Sequence, residues 1–168
     1  MRALTPVLST LAALSLLAAA PDVAQAGPPW ISIELPANPY DASTRGAYLL
    51  VHAFHHGTPI GFPLSGRAEG IVNGERKSVT LKFERTERPG VYAMKNQWGD
   101  VGEWTLMITV SQGKDDGATA LVQISEGQVF SVAVPTEKRG EWTVPRAVTL
   151  ADVEATLRDR PTRVAVRR

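Results

Sequence analysis

The chain has 168 residues, of which 43% are hydrophobic, so it is long enough to form one domain with a buried core. Its 18 basic and 17 acidic residues give a formal net charge of +1, which provides no general electrostatic argument for binding nucleic acid or membranes. The chain contains no cysteine, which excludes disulfides, thiol chemistry and thiolate metal sites.

The first 26 residues have the three parts of a secretory signal. Arg2 precedes a hydrophobic run over 7–20, and Ala24-Gln25-Ala26 places small residues two apart before a cleavage point at Gly27. The run is short for a membrane span, and a retained anchor is the alternative. We therefore expect export to a periplasm or to the extracellular space, with no stable membrane span after cleavage.

Short apolar runs separated by turn residues follow from Trp30 onward. The segment 47–56 is the most apolar run after the signal and predicts a strand buried on both faces. Asn73-Gly74 indicates a two-residue hairpin turn, because both positions tolerate positive φ. Further strands are predicted over 30–35, 67–72, 75–85, 91–96, 104–110, 118–124 and 129–134. About eight short strands separated by turns predict an all-β fold, an immunoglobulin-like antiparallel β-sandwich.

A helical pattern appears near the end of the chain. Leu150, Val153 and Leu157 recur at helical spacing, and Thr149 can cap the first turn. We expect a short C-terminal helix over 150–159 that packs on its own domain, followed by a solvated, arginine-rich tail. The predicted organisation is a signal peptide over 1–26, a β-sandwich domain over 27–148, and the helix with its basic tail over 149–168.

All three histidines lie in one short segment of the chain, over 51–57. On an extended strand His52 and His56 share a face about 13 Å apart, and His55 points to the opposite face. A helix would instead put all three on one face, and a turn at His55-His56-Gly57 would change the geometry of a strand. His52, His55 and His56 are therefore the candidate ligands for copper or zinc, with ordinary strand-end histidines as the alternative.

The tryptophans suggest a possible contact with a partner. Trp104 begins an alternating strand and is expected in the core. Trp30 and Trp142 lie near strand starts, where an aromatic ring often plugs the edge of a sandwich. Trp98 lies in a turn, which makes it the candidate for an exposed partner-binding residue.

The sequence contains no recognisable motif of catalytic residues, so we expect that the protein is not an enzyme. No Gly-x-Ser-x-Gly turn surrounds any of the serines considered, which are Ser43, Ser65, Ser78, Ser111, Ser125 and Ser131. Asp115-Asp116 lacks the spaced oxygen ligands of a calcium loop.

Two short motifs one strand apart carry a resemblance to a known group. Pro89-Gly90-Val91-Tyr92 is followed by Gly102-Glu103-Trp104-Thr105-Leu106. This pattern, within 30–111, resembles the small exported bacterial immunoglobulin-like domains of the YtkA-like and FixH-like group. The resemblance implies neighbouring strands in a sandwich, and some members of the group are associated with copper handling through Met- and His-rich loops. Here 60–70 holds no Met and no His, and the resemblance carries over no catalytic residue.

These observations favour an exported, non-enzymatic binding or accessory domain with a protein or a small ligand as its partner, and not nucleic acid. The alternative is a periplasmic copper or zinc accessory protein that uses His52, His55 and His56. A third hypothesis is a hydrolase with a catalytic site assembled from residues distant in sequence.

Overall fold

The computed structural model describes residues 27–114 and 116–158, which form three antiparallel sheets, one α-helix and a short 3-10 helix over Ala42–Thr44. The fold is mostly antiparallel β, with 51% of the described residues in strands, about twice the usual share for a soluble protein. The predicted signal over 1–26 lies outside the described residues, as do residues 159–168, which hold most of the predicted basic tail.

The first sheet contains the strand predicted to be the most apolar. Its strands are β1 (Trp30–Glu34), β2 (Leu49–His55), β3 (Thr58–Pro59), β6 (Glu84–Arg85) and β7 (Val91–Met94). They lie in the order β1-β2-β7-β6, and β3 pairs with the end of β2. All neighbours are antiparallel, and Val51 at the centre of β2 pairs with Ile33 on one side and Tyr92 on the other.

The second sheet is built on longer strands. These are β4 (Leu64–Val72), β5 (Glu75–Thr80), β8 (Glu103–Ser111), β9 (Gly117–Ser125) and β10 (Gln128–Ala133). They lie in the order β10-β9-β8-β4-β5. The turn predicted between β4 and β5 is confirmed, since Asn73 and Gly74 have φ of 52° and 84°.

Side chains from both sheets form one hydrophobic core. Val51 and Met94 of the first sheet belong to the same buried cluster as Leu106 and Ile108 of the second, and all four are completely buried. Strand β8 alternates as its sequence predicts, because the residues between these core positions point to the other face of the sheet. Trp104, predicted for the core, is buried there.

The outer face of the first sheet is partly covered by the connection from β1 to β2. Leu50, Val91 and Ala93 form a second buried cluster, against which Ala37 and Ala47 pack. This explains why β2 is apolar on both faces over its first half. Its second half is less buried, and it holds His52 and His55, with His56 directly after the strand.

A third sheet, which the sequence pattern does not predict, follows the second sheet along the chain. Strands β11 (Thr136–Arg139) and β12 (Trp142–Pro145) form a hairpin whose turn contains Gly140 at φ 63°. The sequence of β11 shows no hydrophobic alternation, because all four of its residues are polar and exposed. A hydrogen bond from Arg146 N to Pro135 O, 3.0 Å long, closes the base of the hairpin.

The predicted helix is confirmed as α1, over Leu150–Arg158, and the predicted last residue of the helix lies outside the described residues. Val153 and Leu157 are buried, and the helix contacts β4, β8 and β9 on the outer face of the second sheet. Within the described ranges, no helix has the length and hydrophobicity needed to cross a membrane.

We predict that Gly70→Ala destabilises the protein, because Gly70 pairs with Trp104 across β4 and β8. A Cβ at Gly70 would lie 2.8 Å from Trp104 Cζ3 and would overlap the indole. Overpacking of this kind lowers the free energy of unfolding by about 1–3 kcal/mol, which urea denaturation measures. Gly27→Ala is the control, since a Cβ there meets no atom within 4 Å. Equal stability of the two variants would contradict the prediction.

Candidate functional site

The start of helix α1 is fixed by a capping box. Thr149 Oγ1 accepts a hydrogen bond from Asp152 N, and Asp152 Oδ2 in return accepts one from Thr149 N at 2.8 Å. Arg146 donates to both carboxylate oxygens of Asp152, at 2.6 and 2.8 Å. The hydrogen bonds from Arg146 contribute most to holding the pKa of Asp152 far below its ordinary value, and those from Thr149 also lower it. The contacts fix the helix relative to the end of the hairpin.

Three polar contacts attach the helix to the second sheet. Thr105 Oγ1 donates to Thr156 Oγ1 at 2.9 Å, and Gln123 Nε2 donates to the carbonyl oxygen of Thr156 at 3.0 Å. At the sheet edge Arg76 pairs with Glu154. Buried polar side chains on the outer face of β8 and β9 thus find their partners on the helix.

The helix covers one end of this sheet face and leaves the other end open. Its contacts on β8 and β9 are with Thr105 and Gln123, near the start of β8, whereas Met107, Thr109 and Ser111 further along β8 line a groove. The open end forms the floor of a groove of about 780 Å³, which we call the hairpin groove. Its floor includes Arg67, Met107, Thr109, Ser111 and Thr119, and its walls come from the hairpin, from the segment 145–150 and from the start of α1.

Eight of the twenty described residues that line the hairpin groove are charged. Among its described residues are five cations and three carboxylates, which are Arg67, Arg76, Lys114, Arg139 and Arg146 against Glu69, Asp116 and Glu137. Glu69 is largely buried and accepts from Ser78 Oγ at 2.8 Å and from Arg76 Nε at 3.3 Å. Hydrogen bonds to Glu154 and to Glu69 raise the pKa of Arg76 above its ordinary value.

A smaller cavity of about 470 Å³ adjoins the hairpin groove, and we call it the tryptophan pocket. It is lined by Trp142 and Val144 of β12 and by His56, and it shares Asp116 and Arg139 with the hairpin groove. The Trp142 side chain stands beside Arg139 in the hairpin register and is 76% exposed. The expectation that Trp142 plugs a sheet edge is therefore wrong.

The histidines do not converge on one point. His52 Nε2 donates to Glu34 Oε2 at 2.7 Å, and Arg88 shares that carboxylate. The chain turns at His56, whose φ is 51°, and the rings of His55 and His56 lie 4.4 Å apart. His55 Nε2 donates to the carbonyl oxygen of Gly27 at 3.0 Å. Over the ranges that the structure describes, no group of three or more histidine, cysteine, aspartate or glutamate side chains is arranged to hold a metal ion.

Trp98 was predicted to be exposed, and this is wrong because the side chain is only 7% exposed. Asn96 Oδ1 accepts from the backbone N–H groups of Trp98 and Gly99, which folds the turn back onto the domain. The indole then meets Tyr48 edge-on, with ring centroids 5.1 Å apart. Trp98 belongs to the core and offers little surface to a partner.

Comparison with known proteins adds no relative. No protein-family model, no curated protein and no solved structure matches the chain. The resemblance to the YtkA-like and FixH-like group stays a prediction from the two motifs that carry it.

We predict that Asp152→Asn destabilises the protein at neutral pH and less so in acid. Because the folded pKa of Asp152 is lowered, its contribution is complete above the unfolded value of about 3.9 and is lost as the pH falls through the folded pKa. Urea denaturation of wild type and variant between about pH 7 and about pH 2 measures the difference.

Glu75→Gln, at an exposed carboxylate on β5, is the control for this pH series. It should change stability less than Asp152→Asn at neutral pH. A stability difference for Asp152→Asn that stays constant or grows as the pH falls would show that the ionised carboxylate of Asp152 does not stabilise the protein.

Proposed function

We propose that this chain is an exported, non-enzymatic binding domain with an immunoglobulin-like β-sandwich fold, and that its partner binds at the hairpin groove and the tryptophan pocket. Two antiparallel sheets that share one core support the sandwich interpretation. The first 26 residues support export through their sequence alone.

The observation that carries the proposal is the exposed Trp142 in the tryptophan pocket, which shares Asp116 and Arg139 with the hairpin groove. Tryptophan and arginine are enriched among the residues that dominate binding energy, and Trp142 stands beside Arg139. Covering an indole that is 76% exposed would contribute about 4 kcal/mol from apolar area alone, before the costs of association. An exposed aromatic ring at the rim of a groove is thus a suitable anchor for a partner.

The charged groups of the hairpin groove support binding over catalysis. Arg146 is held by Asp152, Arg76 by Glu69 and Glu154, and Arg139 by Glu137 at 3.1 Å. Charges that are paired in this way fix the shape and the electrostatic potential of a surface.

The alternative copper or zinc function requires several ligands around one ion. His55 and His56 lie together at the turn after β2, whereas His52 is engaged by Glu34 on the opposite face of the strand. The tryptophan pocket offers His56 a different role, as a side chain beside Trp142 that a bound partner would contact.

Photo-crosslinking in the cells that naturally produce the protein tests the proposal. We predict that benzoylphenylalanine in place of Trp142 gives a discrete adduct, because this exposed position lines the tryptophan pocket. The same group in place of Tyr40 is the matched control, since Tyr40 is a 94% exposed aromatic residue in the loop after β1.

The adduct should also weaken when Arg139→Glu is added, because Arg139 lines both cavities. Mass spectrometry and gel mobility detect the adduct. Absence of an adduct at 142, or the same adducts at 142 and 40, would refute the proposed function.

A further inference from the structure

We propose that the exported chain binds one Cu(II) ion at its N-terminus, through the α-amine and the carbonyl oxygen of Gly27 and through the rings of His55 and His56. The inference rests on the export part of the proposed function, because a free α-amine at Gly27 exists only after the signal over 1–26 has been cleaved. Two of the four donors are main-chain atoms, so a search for clusters of metal-binding side chains among the described residues does not test this site.

The predicted cleavage point lies directly against the turn that holds two of the histidines. His55 Nε2 donates to the carbonyl oxygen of Gly27 at 3.0 Å, and Gly27 and His56 line the tryptophan pocket together. The strand register explains this contact. Since Trp30 at the start of β1 pairs with Phe54 near the end of β2, the residues before β1 run past the turn that follows β2.

The distance between His55 Nε2 and the carbonyl oxygen of Gly27 suits a shared metal ion. Two donor atoms that lie about 2.0–2.1 Å from one ion and at right angles to each other are about 2.9 Å apart. When the proton of the neutral His55 ring is on Nδ1, Nε2 has a free lone pair. An ion can then take the place of the hydrogen-bonded proton, and the α-amine of Gly27 closes a five-membered chelate ring with the carbonyl oxygen of the same residue.

Pro28 determines which atoms of the N-terminus can bind the ion. Cu(II) can displace the proton of a peptide N–H that follows a chelating α-amine, but proline has no N–H. The carbonyl oxygen of Gly27 is therefore the second main-chain donor, and it is the atom that His55 already contacts.

His56 supplies the fourth donor. Its ring centroid lies 4.4 Å from that of His55. Two imidazoles that bind one ion at right angles would have centroids about 4.5 Å apart, because an ion about 2 Å from a ring nitrogen lies roughly 3 Å from the ring centroid. The His56 side chain makes no hydrogen bond within the part of the chain that the structure describes, so no such bond must be broken when it binds the ion.

The charges near this site do not repel a cation. Arg139 and Asp116 both line the tryptophan pocket, and Arg139 is paired with Glu137 at 3.1 Å. One guanidinium thus faces two carboxylates. His52 takes no part, because it is engaged by Glu34.

The donor set favours Cu(II) over the other common divalent ions. Two imidazoles, one amine and one carbonyl oxygen are mainly nitrogen donors, and Cu(II) binds such donors in a tetragonal plane and more tightly than the other first-row ions. Zn(II) prefers a tetrahedron, and calcium and magnesium require more oxygen donors.

Titration of the exported protein with CuSO₄ tests the inference. The full chain is expressed with its signal, recovered after export and checked by intact mass, and binding is followed by calorimetry and by electron paramagnetic resonance. We expect a chain that begins at Gly27, one Cu(II) per chain, and nitrogen hyperfine couplings in the spectrum. Quenching of tryptophan fluorescence should accompany binding, because Trp142 lines the same pocket as Gly27 and His56.

Acetylation of the α-amine, His55→Gln and His56→Asn should each weaken Cu(II) binding by at least about tenfold, since each removes one donor. Glutamine can still donate to the carbonyl oxygen of Gly27, and asparagine tolerates the positive φ of 51° at position 56. His52→Gln is the matched control and should leave the affinity unchanged. Circular dichroism and the thermal midpoint verify that the three variants fold.

Absence of stoichiometric Cu(II) binding by a chain that begins at Gly27 would overturn the inference and leave the proposed function untouched. Equal affinity before and after acetylation, or the same loss in His52→Gln as in His55→Gln, would also overturn it. An exported chain that begins at another residue would overturn the site at Gly27 alone. A chain that is not exported would refute both the inference and the export part of the proposed function.

Discussion

The two-sided burial of strands β8 and β9 is the constraint on which the rest of the structure depends. Their inner faces supply the centre of the core, where Leu106, Ile108 and Val122 are completely buried. At one end of the outer face, Thr105 and Gln123 are also buried, and a buried hydroxyl or amide is costly without a partner. Helix α1 provides these partners through Thr156. The position of the helix is thus dictated by polar groups of the sheet as well as by its own apolar stripe.

Because the contacts of helix α1 on β8 and β9 lie at the end of the face that holds Thr105 and Gln123, the groove lies at the other end. The floor that remains carries groups that water can satisfy, such as Thr109 and Thr119, whose hydroxyls also bond to each other at 2.8 Å. Arg146 connects the two parts, since its side chain holds Asp152 at the helix start and its backbone closes the hairpin at Pro135. A single short segment between β12 and α1 therefore sets both walls of the groove.

The sequence predicts those elements whose signals are local. The Asn73-Gly74 turn, the alternation of β8 and the helix cap at Thr149 each depend on neighbouring residues, and each is present. Hairpin β11–β12 has no such signal beyond Gly140, because its strands are mostly exposed and lie outside the core.

The observed environments of Trp98 and Trp142 differ from the predicted ones for a related reason. Trp98 is buried against Tyr48, which is distant in sequence, whereas Trp142 lies on a hairpin outside the core and stays exposed. The hairpin groove joins β4, β8, the hairpin and α1, so residue spacing along the chain cannot reveal it.

The location of the exposed aromatic ring has a physical rationale in this arrangement. A two-stranded ribbon is marginally stable by itself, and here it is anchored at its base by Arg146 while its outer residues face water. Trp142 on such a ribbon contributes little to the core, so its removal should affect folding little. The second sheet carries Arg67 on the floor of the hairpin groove, and the ribbon places Arg139 between this groove and the tryptophan pocket that Trp142 lines. The floor and the wall of the groove thus belong to separate elements, and the exposed ring lies on the element that contributes little to the core.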